Sequence, residues 1–153
     1  MRILLLGAVV LIGASPVSAR AQGQKDPVLT VVKNVFDGMR KRDTALMRAQ
    51  FAPGARLVGV ESKNGKAEVQ AIDPSLWIGG VGKGSGPAWD ERIFDPVVEV
   101  DDNIAHVWTY YEFWRGSELS HCGYDSFFLV KLADGWKVSQ VADTKRKDCK
   151  PKG

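Results

Sequence analysis

Residues 104–144 read IAHVWTYYEFWRGSELSHCGYDSFFLVKLADGWKVSQVADT, and this stretch decides the fold. Apolar and aromatic residues alternate with polar ones over long runs. Two dipeptides interrupt them, Gly116-Ser117 and Asp134-Gly135. A period of two marks strands, and Asp-Gly between such runs is a strong hairpin signal. The pattern continues upstream across a third turn, Asp102-Asn103. Four strands are predicted: Asp90–Asp101, Ile104–Arg115, Glu118–Ala133 and Trp136–Thr144.

Before residue 89 the pattern is helical. Val28, Val31, Val32, Val35, Phe36 and Met39 recur at helical spacing, and Asp26-Pro27 reads as N-cap and first helical residue. Asp43 is predicted to cap a shorter helix with Leu46, Met47 and Phe51 inward, ended by Pro53-Gly54. Arg56–Val60 reads as a strand and Asn64-Gly65 as a turn. Asp73-Pro74 opens a helix carrying Leu76, Trp77 and Ile78. Gly79–Gly86 then reads as a mobile loop or lid, flanked by Trp77 and Trp89. It contains Lys83 but lacks the glycine spacing and the Ser or Thr of a phosphate loop. Helices first and an antiparallel meander afterwards define an α+β domain.

The N-terminus reads differently. Arg2 precedes the uncharged run Ile3–Gly13, and Pro16 and Ala19-Arg20-Ala21 follow. This is the pattern of a cleavable signal peptide over residues 1–21, with a cut after Ala19 as the near alternative. The run is too short for a permanent membrane span, so no stable membrane insertion is expected. The expected organisation is a signal peptide at 1–21, one domain at 26–149 and a tail at 150–153, located in the periplasm or secreted. The chain has 21 Lys+Arg and 18 Asp+Glu; without Arg2 and Arg20 the balance is 19 against 18. The remaining basic cluster, Lys145 to Lys152, is terminal and narrow, so a nucleic-acid partner is not expected. Outside the cytosol, Cys122 and Cys149 are expected to form a disulfide. The Asp134-Gly135 hairpin register pairs Cys122 with Lys147 and leaves Cys149 a diagonal neighbour.

Two stretches carry a family resemblance. One is Asp43, Leu46, Met47, Phe51, Ala52 and Ala55; the other is Gly123-Tyr124-Asp125-Ser126-Phe127 followed by Gly135-Trp136-Lys137-Val138. In order and spacing they resemble the nuclear transport factor 2-like (NTF2-like) superfamily, including its ketosteroid isomerases and SnoaL-like and lumazine-binding-like domains. The resemblance implies a cone, with helices packed on a curved sheet around a pocket. Asp125 matches the isomerases' hydrogen-bond-donating Asp. Their first-helix Tyr falls on Val35 and their general-base Asp at or near Gly59, so steroid isomerisation by that mechanism is not implied.

Two-residue turns without bulges place Glu112 opposite His121, and Trp108 opposite both Asp125 and Val97. One face then carries Trp108, Tyr110, Glu112, His121, Asp125 and Phe127. The other carries Val107, Tyr111, Phe113, Cys122, Tyr124 and Phe128. Apolar patterning alone puts the second face against the helices, whereas the Asp125 resemblance puts the first face inside the cone. The reading adopted follows the resemblance. The candidate ligand-binding residues are Trp108, Tyr110, Phe127, Trp77 and Trp89, and the candidate catalytic residues are His121, Asp125 and Glu112. The uncovered apolar face predicts a homodimer. With only two histidines, His106 and His121, no metal site is expected, and no cofactor is implied. Three functions fit: a small-molecule binder for an apolar or aromatic ligand, a cofactor-independent lyase or isomerase, and a homodimeric interaction module.

Overall fold

The computed structural model describes residues 16–150, with side chains from residue 25 onward. Most of the expected signal peptide, and residues 151–153 of the tail, lie outside the described residues. Among them, no helix is long and apolar enough to cross a membrane.

Three helices, α1 (Pro16–Lys41), α2 (Thr44–Arg48) and α3 (Pro74–Lys83), accompany six strands. The strands are β1 (Phe51–Lys63), β2 (Lys66–Ile72), β3 (Trp89–Asp101), β4 (Ile104–Arg115), β5 (Glu118–Leu132) and β6 (Gly135–Lys145). They form one sheet in the order β2-β1-β6-β5-β4-β3, antiparallel except for the parallel pair β1 and β6. The α+β class expected from the meander, and the curved sheet on helices that the resemblance implies, are the observed architecture.

The helical spacing in α1 buries Val28, Val32, Val35, Phe36 and Met39 against the sheet. Asp26-Pro27 does not open the helix as expected; α1 runs back to Pro16 and carries Pro27 in its interior. A Schellman motif ends it. The Asp43 amide donates to Gly38 O at 2.8 Å and the Arg42 amide to Met39 O at 3.2 Å, with Arg42 at φ 54°. Asp43 then caps α2 as predicted, its Oδ1 accepting from Leu46 N at 2.9 Å. That helix stops at Arg48, so Phe51 starts β1 and Pro53-Gly54 falls within that strand. Asn64 and Gly65 both take positive φ and make the two-residue turn from β1 to β2.

Asp73 caps α3 through Ser75 N at 2.7 Å. The expected glycine loop is mostly helix: α3 continues through Gly79, Gly80 and Gly82 to Lys83, anchored by buried Ile78 and Val81. Glycine is a poor helix former, but apolar burial outweighs propensity here. Gly82 also allows close packing, since a Cβ there would stand 2.7 Å from Thr44 Cγ2.

Bulges correct the predicted registers. Phe113 pairs with His121 but Trp114 with Leu119, which leaves Ser120 as an extra residue in β5. The pairs beyond it shift by one. Trp108 therefore lies opposite Ser126, Thr109 opposite Asp125, and Glu112 opposite Cys122. A second bulge, at Asp95-Pro96, has Asp95 at φ 50°; Val97 stays opposite Trp108 as expected, and the pairs from Trp89 to Phe94 shift by one. A third sits at Ser139, whose Oγ donates to Phe128 O at 3.0 Å. A one-residue slip exchanges faces on one strand only. The concave face thus combines Val107, Tyr111 and Phe113 of β4 with His121, Asp125 and Phe127 of β5. Both readings of the faces were half right: apolar patterning was correct for β4 and the Asp125 resemblance for β5.

Candidate functional site

The concave face and the helices enclose a cavity of about 400 Å³. Its apolar wall includes Phe36, Phe51, Trp77, Trp89, Phe113 and Phe127. These rings hold one another edge to face: Phe36 on Phe127 at 5.9 Å, Phe51 on Trp77 at 6.5 Å and Trp89 on Phe113 at 5.8 Å. The helix supplies Phe36, α3 supplies Trp77, and the sheet supplies the rest, so the wall is fixed by the core itself.

Polar groups also line the cavity. Asp125, 2% exposed, shares a hydrogen bond with the Glu91 carboxyl, and Asp143 of β6 is the cross-strand partner of Asp125. Tyr111 Oη donates to Thr144 O at 2.9 Å and lies 3.4 Å from Asp143 Oδ2. Asp125 Oδ2 is buried and receives no protein N–H or O–H. Burial first, and then the charges of Glu91 and Asp143, hold the Asp125 carboxyl far above the usual range. Burial and the Asp143 charge likewise push Glu91 up to about 8. Asp143 is raised by burial, against the pull of Lys145. Tyr111 is raised by burial and by the surrounding carboxylates, so it remains a donor.

His121 faces the cavity and stacks on Phe113 at 4.6 Å, with Nδ1 3.2 Å from Ser120 Oγ. Burial, then the charges of Lys145 and Arg115, lower it to about 4, so the imidazole is neutral at neutral pH.

His121, Asp125, Phe127, Trp77 and Trp89 all line this cavity. Trp108, Tyr110 and Glu112 do not; the Ser120 bulge turns them to the convex face. There Trp108 stacks on Tyr124 at 5.1 Å, Tyr110 meets the same ring at 5.6 Å, and Glu112 accepts from Trp114 Nε1 at 3.2 Å. The expected Glu112–His121 pair is thus absent, and Trp108 and Tyr110 are corrected from pocket wall to the convex side of the sheet, where Trp108 is exposed and Tyr110 buried. Sequence reasoning missed Glu91, Tyr111 and Asp143. Asp143 carried a signal, because it follows Val141 by two on the inward alternation of β6. Tyr111 needed the bulge. Among the described residues no cluster of three or more His, Cys, Asp or Glu is arranged to hold a metal ion.

The raised carboxyls have a measurable consequence. Unfolded carboxyls titrate near about pH 4. Between there and about 8 the folded protein holds protons that the unfolded chain has lost. The stability they contribute is complete below the unfolded value and is lost as pH rises through the folded one. His121 acts oppositely, since its contribution is present above about 6.5 and lost as pH falls toward about 4. Above about pH 6.5 only the carboxyls act, and the melting temperature is expected to fall toward pH 9. Asp125→Asn keeps a donor for Glu91 and removes a group that at pH 8 must either take up a proton on folding or be buried charged. It should raise the melting temperature at pH 8 by on the order of 5 °C and flatten the slope. Parallel wild-type and variant profiles in thermal melts would contradict this assignment.

A six-stranded curved sheet wrapped on N-terminal helices around such a cavity defines an NTF2-like protein. Three solved NTF2-like proteins share the fold. One of unknown function from Shewanella baltica aligns with TM-score 0.60 at 16% identity, over 89% of this chain and 100% of that one. One of unknown function from Pseudomonas putida gives 0.65 at 15%, over 85% and 98%. One with a cystatin-like fold from Novosphingobium aromaticivorans gives 0.67 at 8%, over 87% and 88%. No curated protein matches the chain. The chain belongs to the family described as "Putative lumazine-binding", whose profile matches residues 23–141.

Proposed function

We propose that the mature protein is an exported domain that holds a small apolar or aromatic molecule in its cone. The observation that carries this reading is the aromatic cavity of about 400 Å³ with a few convergent polar groups at its wall, the usual composition of a ligand site. Its family membership points the same way. Export rests on the sequence of residues 1–21, and the Cys122–Cys149 bridge fits an oxidising compartment. Native mass spectrometry of the protein purified from its host tests the whole reading. The expected result is a chain lacking residues 1–21, with one disulfide and a retained small molecule released on denaturation. An unprocessed chain would overturn export, and an empty cavity that takes up none of a panel of aromatic compounds would overturn binding.

A second reading is a cofactor-independent lyase or isomerase that moves a proton with His121 and Asp125. Its support is a neutral imidazole and a proton-holding carboxyl on one cavity. Glu112, on the opposite face of the sheet, has no part in it. The retained molecule decides: added back to fresh protein, it is recovered unchanged under the first reading and converted under the second. The proposed homodimer rests on the convex face, where Val97, Ile104, Trp108, Phe128 and Leu132 are exposed. The same spectrum would report it as a doubled mass.

A further inference from the structure

We propose that the cavity selects an organic cation: a molecule whose aromatic or aliphatic body fills the aromatic cage and whose protonated amine or amidine sits against Glu91, Asp125 and Asp143. This deepens the small-molecule reading and rests on it.

Three acidic side chains from three strands face one cavity, and among the described residues no Lys or Arg forms an ion pair with any of them. Three basic residues line the same cavity: Lys63 pairs with Glu68 at 2.7 Å, Lys145 with Glu61 at 3.1 Å, and Arg115 acts on His121. Buried carboxyls ordinarily have a cation or several donors. Here Tyr111 reaches only Asp143, and Asp125 Oδ2 has no protein donor. The three carboxyls share one short network, and a cation that enters it displaces the protons that Glu91 and Asp125 otherwise hold. An ammonium group brings up to three N–H donors and the missing positive charge. A neutral carbonyl brings further lone pairs instead. The surrounding aromatic wall suits the same ligand, because aromatic rings attract a cation that has left water. The carboxyls are not grouped to chelate a metal ion, whereas a cation spread over several N–H bonds can span them.

The test compares two isosteric probes, 1-naphthylmethylamine and 1-naphthylmethanol, by calorimetric titration at neutral pH. The amine is expected to bind at least about tenfold more tightly. Asp125→Asn and, separately, Glu91→Gln should reduce that preference severalfold, read as the ratio of the two probes' affinities within each variant. These near-isosteric changes keep the cavity's volume, and circular dichroism checks the fold of each. Equal binding of the two probes, or tighter binding of the alcohol, overturns the cation inference and leaves small-molecule binding intact. If neither probe binds and the native protein also carries no ligand, the underlying reading falls with it.

Discussion

Gly123→Ala is expected to destabilise the protein by about 3 kcal/mol or more, enough to lower the melting temperature by roughly 10 °C. Gly123 lies on the concave side of β5, opposite Tyr111 of β4. A Cβ there would stand 1.8 Å from Thr144 O, and 2.8 Å from both Thr144 C and Tyr111 Cε1. Two of these three atoms are backbone, which cannot rotate aside. The third belongs to a ring that is 1% exposed and held by its own hydrogen bond to Thr144 O. The bare α-carbon is therefore what lets the Tyr111 ring cross β5 and reach β6. Added bulk would push Thr144 outward and break the Tyr111 bond, so fold and site suffer together. The check is chemical denaturation of both proteins, alongside Tyr111→Phe. That variant removes the hydroxyl without crowding and should cost only about 1 kcal/mol. A Gly123→Ala protein as stable as wild type would mean that β6 yields at Thr144, and would undo the steric account.

Much of this was legible in the sequence, but unevenly. The four long strands and their turns were visible because Asp134-Gly135 and its neighbours punctuate a strict alternation. The caps at Asp43 and Asp73 were equally plain, although the same signal at Asp26 falls inside α1. Phe127, Trp77 and Trp89 were placed at the cavity from the sequence. What failed was register. A bulge at Ser120 carries no residue type that announces it, yet it exchanges the two faces of β4 relative to β5. Trp108, Tyr110 and Glu112 were misplaced by that single insertion, and Tyr111 was overlooked for the same reason. Glu91 was hidden differently: its partner Asp125 lies two strands away in the sheet, a neighbourhood that no local period encodes. The helical glycines of α3 misled in the opposite sense, because their local propensity spoke for a loop while Ile78 and Val81 had a core to fill.

Breaking the Cys122–Cys149 bridge is the other change expected to matter most. Its Cα atoms are 5.9 Å apart and its sequence separation is 27. By loop closure in the unfolded chain, such a bridge contributes about 3 kcal/mol. It also does something local. Beyond Lys145 the ladder is continued by two hydrogen bonds, Cys122 N to Arg146 O and Arg146 N to Cys122 O, both 3.0 Å. The Arg146 guanidinium lies 5.9 Å from the centre of the Tyr124 ring. Cys149 fastens this segment to a fully buried Cys122, and two residues before Arg146 stands Thr144, whose carbonyl anchors Tyr111. Cys149→Ala should therefore lower the denaturation midpoint in proportion to about 3 kcal/mol. It should also speed hydrogen exchange at the Arg146 amide well before global unfolding. Cys122→Ala would confound the test by opening a cavity, so Cys149, the less buried end of the bridge, is the one to change. Reduction of the wild type should reproduce the Cys149→Ala midpoint. If the oxidised and reduced proteins instead unfold together while Arg146 alone exchanges faster, the bridge is a tether for the end of β6 and for the Tyr111 contact, and stability comes from the core alone.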